Sequence, residues 1–272
     1  MADRQEEQRR LILDQFTRQA VPFAEMPAHS NEESVRLLID MAGIGPEDEV
    51  LDVACGPGLV ACPLAEVARH VTGLDLTPAM IEQAKEKQRS RGLTNVTWLV
   101  GDAVPLPFPD ASFSVVVTRY SFHHFLDPKA MLAEMVRVCR PGGRVAVIDV
   151  FTSSPEQAEA YNRVEKLRDP SHVRALSLEE LTGLCHDAEL RDVKTGLYKL
   201  DVPLEELLAR SFPNPGDADR IRLTFADDIG VDRLGVGAHR RAGAIHFAFP
   251  IVVLVGQRPV RESDHAQPLQ GF

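Results

Sequence analysis

From Glu49 onward the chain alternates short apolar runs with longer stretches of helical period. Val50, Leu51 and Val53 make the first run, Val71–Leu76 the second, Val96–Val100 the third and Phe113–Thr118 the fourth. Short aliphatic runs bounded by glycine and proline read as strands buried on both faces. Between them, Leu59–His70, a segment opening at Thr77-Pro78, and Pro128–Cys139 read as helices. Strand and helix in alternation predict βαβ units and a parallel sheet, and right-handed crossovers then place helices on both faces. A turn at Arg140-Pro141-Gly142-Gly143 leads into a fifth strand, Arg144–Val150.

Ahead of this region, Glu6–Gln19 reads as an amphipathic helix with Leu11, Leu13 and Phe16 as its apolar points. Ser30 and Glu33 form a capping box for a helix through Met41, which Gly43 and Gly45 end. Thr77-Pro78 and Asp127-Pro128 each set a capping side chain before a proline at the first helical position. Ser177 with Glu180 repeats the capping box. Past Val150 the alternation loosens. Ser154–Arg168 and Leu178–Asp187 read as helices, and Val193–Leu200 as a strand. Pro203–Ile229 reads as a mostly helical insert broken at SFPNPGDAD, Ala244–Gln257 as a long strand, and Arg261–Phe272 as a frayed tail.

A chain of 272 residues fits one large domain or a domain with an insert. Its formal charge of −10 argues against nucleic acid as the main partner, because neutralising phosphates needs basic clusters. No run approaches the ~18 apolar residues of a membrane span, and no basic–apolar leader opens the chain. Cys55, Cys62, Cys139 and Cys185 lack metal-ligand spacing and read as reduced thiols of a cytoplasmic protein, with no metal expected.

The chemistry concentrates in VLDVACGPG, Val50 to Gly58. A strand that passes through glycines into a helix N-terminus gathers bare backbone N–H groups and a positive dipole end at one spot. Glycine is needed where a side chain would keep a ligand off the backbone. Gly56-x-Gly58-x-x-Ala61 also satisfies the loose dinucleotide fingerprint, so the glycines leave a nicotinamide-type oxidoreductase open. Asp52 before the turn, Asp75 at the end of the second strand and Asp102 after the third add three carboxylates along one sheet edge. Open α/β sheets bind their ligands at that edge.

VLDVACGPG, VTGLDLTPAMIEQAKEK, GDAVPLPFPDASFSVVVTRYSFHHF and RPGGRVAVIDV stand in one order and spacing. In this the chain resembles class I S-adenosylmethionine (SAM) dependent methyltransferases, most closely the small bacterial ubiquinone- and menaquinone-biosynthesis type. The likeness is firm over Gln15–Val150. It implies a Rossmann-like α/β fold with a seven-stranded, mostly parallel sheet, an antiparallel C-terminal hairpin and helices on both faces. It also implies an N-terminal helical lid over residues 1–45, a methyltransferase domain over 46–260, and a substrate cap near 203–243.

The resemblance gives the residues expectations as well. Asp52, Ala54, Gly56 and Gly58 would meet the methionine end of SAM, and Asp75 its ribose hydroxyls. Leu76 and Met80 would flank the adenine, while Asp102 and Ala103 would reach its edge. Arg119, at the end of the fourth strand, would line the cofactor site, and Phe16, Gln19 and Phe23 of the lid would touch the cofactor or the substrate, against an N-terminal helix that merely packs on the sheet. His123 and His124 are the candidate bases, against a purely loop-bracing role. The activity implied is in-line transfer of a methyl to oxygen or carbon of a small organic acceptor, without nucleic-acid partners; the sequence does not fix the assembly, a homodimer being one that enzymes of this size often adopt. A SAM-binding protein that transfers no methyl stays open beside it. His239, Arg240, Arg241 and His246 read as a solvated loop or an acidic-substrate patch, and Arg168, Asp169 and His172 as a pocket wall.

Overall fold

The computed structural model describes residues 2–24 and 32–260. Ser30, half of the expected capping box, lies outside the described residues, as do His29 and the tail from Arg261. The apolar runs form the strands expected: β1 (Glu49–Val53), β2 (His70–Asp75), β3 (Val96–Val100), β4 (Phe113–Arg119) and β5 (Cys139–Thr152). Val50, Leu51 and Val53 are wholly buried, as strands covered on both faces must be. The sheet path is completed by β7 (Arg191–Pro203) and β9 (Ala244–Gln257), in the order β3-β2-β1-β4-β5-β9-β7. The first five are mutually parallel, and β9 runs antiparallel to both β5 and β7. Dinucleotide folds order their strands 3-2-1-4-5-6. The antiparallel strand slotted between the fifth strand and the edge departs from that order and matches the methyltransferase expectation.

Among the described residues two short strands raise the expected seven to nine: β6 (Leu176–Ser177) pairs with β5, and β8 (His239–Arg241) with β9. The helices lie on both faces. One apolar core gathers α2 (Glu32–Ala42), α3 (Ala61–Ala65), α6 (Pro155–Arg168), α8 (Leu204–Ala209) and α9 (Asp217–Asp228). The other gathers α5 (Pro128–Val138) and α7 (Leu178–Asp187). Asp127 caps α5 through its side chain, and Ser177 with Glu180 forms the full box on α7.

Three expectations need correction. The helix expected over Leu59–His70 shrinks to α3, because Glu66–Arg69 finish as turns and His70 joins β2 opposite Glu49. The Asn95 side-chain amide holds the carbonyls of Ala65 and Ala68 at 2.8 and 3.1 Å, which closes the helix end. Thr77 sits at the cap of α4 (Pro78–Ser90), yet its side chain caps nothing; its backbone N–H donates to Asp75 instead. Arg140–Gly143 does not separate helix from strand but bulges within β5, where Phe113 faces Cys139 and Val115 already faces Arg144.

The N-terminal helix α1 (Ala2–Ala24) crosses the C-terminal ends of the parallel strands. Gln8 donates to the carbonyls of His124 and Ser171 at 2.9 and 2.6 Å, and Arg9 pairs with Asp102 at 3.2 Å. Among the described residues, no helix is long and apolar enough to cross a membrane.

Candidate functional site

Two adjoining cavities open at the C-terminal ends of the parallel strands, beneath α1. The first is lined by Asp52, Ala54, Gly56, Asp75, Leu76, Met80, Asp102, Ala103, Arg119 and Phe16. β1 delivers Asp52 and then breaks: Ala54 takes φ 54° and Gly56 φ 51°, so the chain turns sharply out of the sheet. Asp75 braces that turn. Its two oxygens accept from the N–H groups of Gly56 and Thr77, each at 2.8 Å. Burial nevertheless pushes its carboxyl upward, against those two bonds.

Asp52 is 1 % exposed, and its Oδ2 has no hydrogen-bond partner. Burial raises its carboxyl to about 7; the Arg119 charge and the Ala61 N–H oppose the rise, and Asp75 adds to it. An orphaned carboxylate oxygen in a cavity wall calls for a cationic ligand group. Asp102 is half-exposed and holds Arg9, while Met80 and Ala103 supply buried apolar wall. Arg119 lies over the Tyr120 ring, 4.9 Å from its centroid.

Two residues expected here lie elsewhere. Gly58 is not in the wall: its N–H donates to Cys55 O at 3.1 Å, and a Cβ would meet the Trp98 ring at 2.9 Å. With φ at +74°, it serves close packing of the turn against β3. Gly58→Ala is therefore expected to cost about 1–3 kcal/mol of stability through strain and overpacking, read as a lowered denaturant midpoint. Gln19 faces the second cavity and bonds Gln15 at 3.3 Å. The Gly56 amide is already taken by Asp75, so neither expected glycine N–H stands free for a ligand carboxylate.

The second cavity shares Phe16, Phe23, Tyr120 and His124 with the first. His123 lines it, with Nδ1 held 2.6 Å from Asp149 Oδ1. Asp149 is fixed in turn by the N–H groups of Phe122 and Val150, at 2.6 and 2.7 Å. A carboxylate accepts, so Nδ1 carries the proton and Nε2 is left for the cavity. Burial works against charge on His123, but Asp149 beside it, with Glu165, holds its pKa above the usual imidazole value.

His124 differs. Its Nδ1 meets the Ser171 carbonyl at 3.1 Å, and burial together with the neighbouring His123 drives it down to about 4. It stays neutral, with a Phe16 ring edge-on at 5.1 Å. The histidines expected as a pair are thus split into a carboxylate-paired member and a neutral member at the junction of the cavities. Arg168 and Asp169 line the second cavity, and His172 lies behind them, bonded to Asn162 at 2.8 Å. His239, Arg240 and Arg241 are exposed, and Arg241 is tied to Asp201 at 3.0 Å. Asp149, Tyr161 and Glu165 escaped the sequence reading. A lone carboxylate inside the apolar run RVAVIDVF was the one available signal for the first of them.

Comparison with known proteins bears on this arrangement. The family described as a methyltransferase domain matches residues 51–147. The malonyl-[acyl-carrier protein] O-methyltransferase of Serratia marcescens is 30% identical over 207 residues, covering 75% of this chain and 77% of that protein. The uncharacterized methyltransferase YcgJ of Bacillus subtilis is 28% identical over 245 residues, 89% of this chain and 96% of that one. The YcgJ crystal structure superposes with a TM-score of 0.78 at 26% identity, over 85% of this chain and the whole of that one.

Proposed function

The chain belongs to the class I methyltransferase family, and on that premise we propose that it binds SAM in the first cavity and methylates oxygen or carbon of a small organic acceptor in the second. The observation that carries this reading is the wall the two cavities share. A site with buried acids and an aromatic-lined site with a carboxylate-paired histidine meet at Phe16, Phe23, Tyr120 and His124. When bound, SAM supplies a methyl group already activated on a sulfonium.

The residues present fit that cofactor. The orphaned Asp52 Oδ2 would receive the methionine ammonium, and Asp75, anchored by two backbone N–H groups, would keep its remaining lone pairs for the ribose hydroxyls. Leu76 and Met80 would flank the adenine, with Asp102 and Ala103 at its edge. His123 Nε2 would take the acceptor's proton, and Asp149 would hold the imidazole in the tautomer that allows this. α1 would act as the lid, and the insert between β7 and β9 as the cap. Excluding water and aligning the nucleophile are then the main tasks left to the protein.

Titration of the purified protein with SAM tests the first half, and mass-detected methylation of a small-molecule library tests the second. Saturable binding with no methylated product from any acceptor would leave a SAM-binding protein; no binding by a folded protein would overturn the reading. Asp52 adds a pH signature. In the free protein its carboxyl is protonated below about 7, and an ammonium prefers the carboxylate. SAM affinity is therefore expected to fall as pH drops below about 7, with proton release on binding. Calorimetry at pH 6.5 in two buffers of different ionisation enthalpy reads that release directly, and equal heats would contradict it.

A further inference from the structure

The second cavity ends in charge. Glu165, 4 % exposed, and Asp169, 2 % exposed, line it beside Arg168. Arg168 directs Nε and Nη2 to one oxygen of Glu165, Oε2, at 3.0 and 2.6 Å, and Nη1 to Ser211 Oγ at 3.3 Å. Its donors are largely engaged. Asp169 accepts the Ser171 N–H and hydroxyl on Oδ1, at 2.8 and 2.6 Å. Glu165 Oε1 and Asp169 Oδ2 have no hydrogen-bond partner among the described residues, and neither does the hydroxyl of Tyr161, a cavity residue only 3 % exposed.

The charges do not cancel. Arg168 answers Glu165, and a protonated His123 answers Asp149. Arg210 at the cavity wall is taken by Glu206 at 2.6 Å. Burial works against charge on Asp169, and the neighbouring His124 and Arg168 with the two Ser171 bonds hold its carboxyl below the usual value, yet Arg168 spends its hydrogen bonds on Glu165 and Ser211, so one guanidinium serves two buried carboxylates. Two buried carboxylates that share one guanidinium and keep oxygens without a hydrogen-bond partner favour a further positive group between them. Rings of Phe16, Phe23, Tyr120, Tyr161 and Phe249 line the same cavity, and aromatic walls favour cations further.

We infer that this end of the cavity is a recognition subsite for a protonated amine carried on an apolar acceptor, the ammonium donating to Asp169 Oδ2, Glu165 Oε1 and the Tyr161 hydroxyl. The inference rests on reading the second cavity as the acceptor site, and it concerns the group that anchors the acceptor, apart from the atom that is methylated. A carboxylate-bearing acceptor would face Asp169 with no free cation to meet it.

Three probes of one shape test this: 2-phenylethylammonium, 2-phenylethanol and 3-phenylpropanoate, titrated calorimetrically into the protein saturated with S-adenosylhomocysteine. The ammonium is expected to bind about tenfold tighter than either control. Asp169→Asn, which keeps the bonds to Ser171, is expected to erase that preference, and Tyr161→Phe to reduce it. Equal or tighter binding of the carboxylate, binding of none of the three, or a preference unchanged in Asp169→Asn would overturn the subsite. Should Asp169→Asn fail to fold, the wild-type comparison and Tyr161→Phe decide. Failure of S-adenosylhomocysteine to bind would count against the cofactor reading alone, since the same probes can then be run on the free protein.

Discussion

Replacing Asp75 with alanine is expected to lower the affinity for SAM about 100-fold or more, in a protein that still folds. Hydrogen bonds to a charged group contribute about 1.5–3 kcal/mol each, and two ribose hydroxyls would be lost together. The structure gives a second reason. Asp75 is 8 % exposed and holds the N–H groups of Gly56 and Thr77, so alanine also frees the turn that shapes the methionine end of the cavity. Asp102→Ala supplies the contrast. Its carboxylate is half-exposed and engaged by Arg9, so water screens what it can offer, and a loss below about tenfold is expected. Calorimetry on both variants, with circular dichroism to confirm folding, ranks the two acids. Near wild-type affinity in Asp75→Ala would remove the cofactor from this cavity, and a larger loss in Asp102→Ala would reverse the assignment of its ends.

The acids at the strand ends were legible because a buried parallel strand announces itself as an apolar run. A carboxylate closing such a run has nowhere to go but the sheet edge. The hairpin of β7 and β9 with its insert followed from the resemblance, and the strand order agrees. What failed depends on neighbours distant in sequence. Gly58 reads as a ligand glycine until Trp98, forty positions on, is seen filling the space beside it. Leu59–His70 keeps a helical pattern through residues that the sheet recruits, because pairing of His70 with Glu49 outweighs local propensity. Gln19 turned to the neighbouring cavity because the roll of α1 is fixed by Gln8 and Arg9 reaching partners far down the chain.

The site was legible on the cofactor side and much less on the acceptor side. Carboxylates of the first cavity sit at topologically fixed positions. Those of the second come from within β5 and from α6, where a charged residue usually marks a solvated face. Glu165 and Arg168 stand three apart, as countless exposed pairs do, and only their burial distinguishes them. The two adjacent histidines could not be ranked by sequence at all, since the ranking depends on Asp149 facing one and a backbone carbonyl facing the other.

That ranking yields the second large effect. With an acceptor from the library in hand, His123→Asn is expected to lower kcat about 100-fold or more while leaving SAM affinity unchanged. Because Asp149 raises the pKa of His123, the imidazole is protonated and unable to accept a proton at the acid side of neutrality. In the wild type kcat/KM should therefore fall as pH drops through a value above about 6.5. Asp149→Asn removes the charge that raises it, so the acid limb should move to lower pH even as the rate falls with the loosened imidazole. His124→Asn should leave the limb in place, because His124, driven to about 4, is already neutral throughout that range. A limb that stays put in Asp149→Asn, or that vanishes in His124→Asn, would take the base away from His123. A rate indifferent to all three changes would mean that alignment alone carries the transfer, with no proton acceptor needed from the protein.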